Sequence, residues 1–299
     1  MPLIKNSEHI AEIVGYSSEG AGVARVEGQV VFVPGTILGE RCRIQIIKVN
    51  KKIAYGRLVS VEDASPHRTV PECASYPKCG GCDFWHMDYE AELAAKQEHV
   101  RSTITRIGGI ETEIAPIVGA KEITRYRNKA QFPVGMQKGN IVSGFYRTHS
   151  HDIVPCSDCK IQSQFACKIQ HIVLDWMREF SIAPYDEESG RGVMRHIYVR
   201  NAMVCLVVTQ KPAHCSVLVS RIMREYPETS GILLNYHRAK TNVILGDRIE
   251  VLHGDEDVLD TLCGNEFKIA PHAFYQVNHA QTEVLYSLVM EAAALCGEE

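Results

Sequence analysis

No apolar run in this 299-residue chain approaches the roughly 20 residues needed to cross a bilayer, and the longest, such as Met203 to Val208, falls far short. The first residues, Met1-Pro-Leu-Ile-Lys-Asn-Ser-Glu, lack the basic-then-apolar order of an export signal. Together these absences predict a cytoplasmic protein with no membrane partner. A phosphate-binding loop, a His-Glu-x-x-His pair and a dinucleotide glycine fingerprint are all missing, so the chemistry those motifs carry is not written here. There is no internal repeat, and no heptad pattern to suggest assembly, so a monomer is expected. Nothing is disordered by composition: 45% hydrophobic and 23% charged residues are ordinary for a globular chain, and the length suits two or three domains.

Cysteine is abundant instead. Eleven is an odd count for a disulfide framework, and thiols in the expected compartment stay reduced. Three form a claw, Cys73-x5-Cys79-x2-Cys82, around Gly80 and Gly81, with Cys156 and Cys159 far downstream. Glycines let the backbone wrap an inorganic centre without side-chain clashes. An iron-sulfur cluster would take the claw plus a fourth thiolate, Cys159 or Cys156. A four-cysteine zinc site would take Cys79, Cys82, Cys156 and Cys159. The zinc reading leaves Cys73 without a task, which favours iron and sulfur. The Cys-x3-Cys-x2-Cys spacing of radical S-adenosylmethionine enzymes is absent, so a cluster here is structural or redox-sensing. The scattered Cys42, Cys167, Cys205, Cys215, Cys263 and Cys296 read as small core residues.

Net charge is −4, yet its distribution is uneven. Between Lys121 and Arg147 cations face the single acid Glu122, while acids dominate from Thr241 onward. The stretch Arg125-Tyr126-Arg127-Asn128-Lys129-Ala130-Gln131-Phe132-Pro133 interleaves cations, amides and aromatics, a mixture that grips phosphates and stacks exposed bases. Arg125, Arg127, Asn128, Lys129, Gln131 and Phe132 are therefore RNA-binding candidates. The bland alternative is a charged strand with an aromatic core contact. His149-Ser150-His151-Asp152 lies on an expected strand with no recognisable nucleophile and reads as structural.

Five short strands, 12–16, 22–27, 30–33, 41–48 and 53–59, separated by Gly and Pro turns, predict a small barrel. In the fourth, Cys42, Ile44 and Ile46 alternate with Arg41, Arg43 and Gln45, so Arg41 and Arg43 would meet solvent or a ligand. Beyond the claw, a helix is expected over 89–107, capped by Asp88 and stopped at Gly108-Gly109. Further helices are expected over 165–180, 213–226 and 280–295, the last started by Asn278. A hairpin of 193–199 and 203–209 turns at Asn201, and strands follow near 232–236 and 242–245. The fold class is α+β with a mainly antiparallel sheet.

Taken in order, Gly20-Ala21-Gly22-Val23-Ala24-Arg25, Val30-Val31-Phe32-Val33-Pro34-Gly35, the Cys73 to Cys82 claw, Tyr126 to Phe132, Cys159-Lys160-Ile161 and Phe274-Tyr275-Gln276-Val277-Asn278 resemble the RNA uracil-C5 methyltransferases, in the branch acting on 23S ribosomal RNA. The resemblance implies an OB-like TRAM barrel that binds RNA over 1–62, a central α+β iron-sulfur domain over 63–265, and over 266–299 the start of an α/β Rossmann-type methyltransferase domain. It implies a [4Fe-4S] cluster on Cys73, Cys79, Cys82 and Cys159, with Cys156 a bystander. It places Gln276 at the pocket for S-adenosyl-L-methionine and the target base. The partner implied is 23S ribosomal RNA, at sites of the U747 and U1939 type, because tRNA-modifying relatives are expected to lack barrel and cluster. The chemistry implied is addition of a thiolate to uracil C6, methyl transfer from S-adenosylmethionine to C5, and removal of the C5 proton by a carboxylate. The glycine loop, nucleophile and base of that domain would lie beyond Glu299, in roughly 100 to 150 further residues. This chain is thus expected to be a truncated form, retaining cluster and RNA affinity without methyl transfer. The competing class is a non-catalytic RNA-binding iron-sulfur or zinc protein.

Overall fold

A computed structural model describes residues 3–294, which cluster into two compact units divided between Gly119 and Ala120. The end of the expected last helix at Leu295, and Cys296, fall outside the described residues.

In the first unit β1 (Glu8–Tyr16), β2 (Gly22–Val26), β3 (Gln29–Val33), β4 (Arg41–Val49) and β5 (Ile53–Asp63) close into a barrel of order β1-β2-β3-β5-β4, with β3 and β5 parallel. The alternation expected in β4 is present: Cys42, Ile44 and Ile46 are fully buried beside Ile13, Val31 and Val33. Between β2 and β3 the two-residue turn Glu27-Gly28 takes φ of 50° and 79°, the doubly positive backbone that suits the twist of a tight hairpin. Helix α1 (Tyr89–Ser102) starts where the Asp88 carboxylate accepts from the Ala91 N–H at 2.9 Å. It is shorter than expected, because 103–107 form a π-helical turn before Gly108.

The second unit is a seven-stranded sheet of order β12-β11-β10-β9-β6-β7-β8. It is built from β6 (Lys129–Gln137), β7 (Asn140–Tyr146), β8 (Ile153–Pro155), β9 (Met194–Arg200), β10 (Met203–Val208), β11 (Gly231–Tyr236) and β12 (Arg248–Gly254). Only the β10–β11 pairing is parallel, and α3 (Cys215–Glu225) supplies the crossover it requires. With α2 (Gln164–Glu179), α3 covers one face, burying Ile169, Val173, Trp176, Met177, Leu218 and Ile222. The hairpin β13 (Val258–Leu262) and β14 (Asn265–Ile269) contributes Val258 and Ile269 to the core on the other face, with Tyr198, Met203, Cys205, Val207 and Leu233. Helix α4 (His279–Ala293) begins where the Asn278 side chain accepts from Gln281 N–H at 3.1 Å.

Two expectations are corrected here. Residues 242–245 are a loop, not a strand, and the ladder strand after β11 is β12. The buried Asn235 amide satisfies this loop's backbone instead, donating to Gly246 O and accepting from Gly246 N–H at 2.6 Å each. A Cβ at Gly246 would stand 2.2 Å from Tyr236 O, so the approach needs glycine. His149 to Asp152 form a turn rather than a strand, with His149 at φ 55° and Arg147 N–H bonded to Asp152 O. Of the scattered cysteines, Cys42, Cys167, Cys205 and Cys215 are buried and Cys263 is partly exposed. Among the described residues no helix is long and apolar enough to cross a membrane.

Candidate functional site

Strand β6 separates its residues by period two. Ala130, Phe132 and Val134 enter the helix-side core, while Lys129 and Gln131 belong to the opposite face. Phe132 is fully buried with its ring 5.3 Å from that of Phe145, so it holds the core and offers no face to a base. The neighbouring strand repeats the division: Ile197 and Val199 join the helix-side core, and Tyr198 and Arg200 lie across from Gln131 and Lys129.

This second face carries the segment 270–278. Arg200 donates to Ala270 O at 3.1 Å and Ala273 O at 2.8 Å, and Tyr198 Oη donates to Pro271 O at 3.0 Å. Asn128 completes the attachment, its Nδ2 donating to Gln276 O at 3.0 Å and its backbone N–H to Val277 O at 2.9 Å. Residues 148 positions apart thus meet, and Gln276 is set, half-buried, beside the start of β6. Phe274, two residues earlier, is 84% exposed. Burial, then Arg200 and Arg127, push the Lys129 amine below its ordinary value. Three crowded cations make a local positive field that an anion such as a phosphate would relieve.

Arg125 is engaged by a different loop. Its guanidinium donates to Cys159 O at 2.8 Å and Gln162 O at 3.3 Å and pairs with Asp158, so it braces the Cys156–Cys159 loop. Arg127 bridges the chain at both Asn278 and Gln162. On the barrel, Arg41 is exposed and Arg43 pairs with Glu62 at 3.1 Å.

The claw of the first unit is anchored to the barrel. His86 is buried between Tyr76 Oη at 2.7 Å and Thr36 O at 3.2 Å, and Arg68 pairs with the buried Glu40. Burial pushes the Glu40 carboxyl up, but Arg68 and the Ile37 and Ser65 N–H groups outweigh it and hold it below its usual value. A Cβ at Gly81 would stand 3.4 Å from Cys79 Sγ, an ordinary contact, so the turn at this sulfur does not by itself demand glycine. Burial, with Cys79 and Cys73 nearby, pushes the Cys82 thiol up to about 11 despite a bond from Trp85. As donors, three soft thiols in one loop suit iron-sulfur or zinc. Among the described residues, however, no three His, Cys, Asp or Glu side chains converge as a metal site. Cys159, in the second unit, is buried, and a hydrogen bond with Cys156 is the main influence holding its thiol below the ordinary value.

Residues 7–59 match the TRAM domain. An uncharacterised RNA methyltransferase of Clostridium tetani is 38% identical over 100% of this chain and 66% of its own length. Another, of Halalkalibacterium halodurans, is 39% identical over 100% of this chain and 67% of its own. The chain belongs to this family of RNA methyltransferases. It spans about two thirds of the length of the curated relatives it matches. Among solved structures, the tRNA (uracil-54, C5)-methyltransferase of Pyrococcus abyssi in complex with S-adenosyl-L-homocysteine aligns over 95% of this chain and 65% of its own, with a TM-score of 0.70 and 22% identity. That likeness concerns the fold, and it corrects one expectation: a tRNA-modifying enzyme shares a fold covering nearly all of this chain, so this architecture does not by itself mark an enzyme of ribosomal RNA.

Proposed function

We propose that this chain is the RNA-holding part of an enzyme that methylates C5 of a uridine in 23S ribosomal RNA. The observation carrying the proposal is the Asn128–Gln276 junction, which joins a crowded cationic strand end to an amide and an exposed aromatic ring. Lys129 and Arg127 would draw the phosphates, with the buried Arg200 adding to the local positive field, and Phe274 would stack on a base beside the target. The target uracil must leave its stack to be reached. The Gln276 amide, able to donate and accept together, suits the imide edge of uracil. S-adenosylmethionine, when bound, supplies the methyl group. Gln276 is this chain's contribution to that pocket, and none of its residues is assigned the role of attacking thiolate or proton-removing carboxylate. Cys73, Cys79, Cys82 and Cys159 are proposed to hold a [4Fe-4S] cluster that keeps the fold. The soft donor set supports that reading.

The test is to delete the gene, digest 23S ribosomal RNA and tRNA separately, and quantify 5-methyluridine by mass spectrometry. Loss from 23S RNA, restored by the intact gene, is expected. Loss from tRNA alone would move the substrate to tRNA, and no loss from either would refute uridine methylation.

A further inference from the structure

Helix α2 presents an almost wholly apolar buried face, with one exception. Gln170 is fully buried between Ile169 and Val173, and neither its amide N–H2 nor its C=O has a partner. Nearby on β7, Ser143 is 4% exposed and its hydroxyl is likewise without a partner. Buried polar groups left unpaired cost about 1–3 kcal/mol each, so a residue selected only for packing would be apolar here. Both residues line a cleft of about 360 Å³ at the β7–β8 edge of the sheet, within the size range of small-ligand sites.

The remaining walls suit a flat ring with a charged tail. Ile141, Pro155 and Leu174 supply apolar surface, while His171 and Arg178 stand at the same cleft. Arg178 is held by Asp175 Oδ1 at 2.7 Å and by Ile141 O at 3.3 Å, and His171 Nε2 is bonded to Ser157 O at 2.8 Å. The amide offers a donor and an acceptor side by side, and the hydroxyl offers either. That pattern complements the hydrogen-bonding edge of a nucleobase.

We infer that this cleft receives a second, unpaired base of the RNA, distinct from the target uridine. The cleft lies on the helix side of the sheet, opposite the face that carries Gln276, so one base cannot occupy both. An RNA loop rounding the β8 edge would place one base on each face. The inference rests on the RNA reading above and adds to it a point of sequence or shape selection.

The test uses the full chain, a 23S RNA hairpin with 4-thiouridine in its loop, and the variants Gln170→Leu and Ser143→Ala. Removing an unpaired buried group should leave unfolding midpoints at or above those of the parent protein. Affinity for the hairpin should nevertheless fall about tenfold for Gln170→Leu, and photo-crosslinks to peptides spanning 141–157 and 164–179 should be lost. Unchanged affinity and crosslinks in both variants, with equal or greater stability, would show that the cleft holds only water and overturn the inference. If Lys129→Gln weakens binding while both cleft variants are silent, this inference falls and the proposed function stands. If the parent protein binds no RNA, both fall.

Discussion

The imidazole of His196 shows how one buried group shapes the pH response. It sits on β9 opposite Pro133, 7% exposed, with Nδ1 unpartnered. Burial and then Arg195 depress it to about 4, with His237 adding and Glu187 opposing. A depressed histidine takes up protons more readily when unfolded, so its share of stability is complete above about 6.5 and is lost as pH falls toward 4. Urea unfolding should therefore show a loss on the order of 3 kcal/mol across that window, which His196→Gln should largely flatten. A slope unchanged in the variant would assign the loss to other groups, of which His237, also lowered by burial and Arg195, is the nearest candidate. Residue roles were unevenly legible in sequence. Lys129 and Phe132 look alike as members of one basic aromatic stretch, and only the two faces of β6 separate cation from core. Arg200, Phe274 and Gln170 carry no motif of their own, because their meaning comes from neighbours distant in the chain.

At the scale of elements, the segment 270–278 belongs to no sheet ladder and is held by side chains of Asn128, Tyr198 and Arg200, with backbone attachment only near its end, at Val277 and Asn278. Asn128→Ala removes the bond to Gln276 O while leaving the backbone bond to Val277, so it should cost about 1 kcal/mol in urea unfolding. It should also speed protease cleavage within 270–278, and an unchanged cleavage rate would mean that Asn128 does not hold the segment. The barrel strands, the hairpin at Asn201 and the capped starts of α1 and α4 follow from local alternation, turns and caps, which a sequence displays directly. The loop at 242–245 does not, since its apolar residues imitate a strand while the Asn235 amide pins the backbone just after it, at Gly246. Strands β6 to β8 are hard to read from sequence because Pro133, Gly135 and Gly144 interrupt their alternation and β8 is only 3 residues long.

On the scale of the whole molecule, the proposed cluster rests on the soft donor set of Cys73, Cys79, Cys82 and Cys159. Anaerobically purified protein should be brown and carry about four iron atoms per chain, and Cys82→Ala should lose both. A colourless, zinc-bearing protein would replace the cluster with a four-cysteine zinc site. The contact between Asn128 and Gln276 is not legible in the sequence, since 148 residues separate the two. The most direct test is equilibrium binding of 23S ribosomal RNA across a salt series, comparing the parent chain with Lys129→Gln. Tight binding that weakens steeply with salt is expected, with the variant weaker and its slope reduced by about 0.7–0.9. Identical affinities and slopes for the two proteins would contradict the placement of RNA on this face.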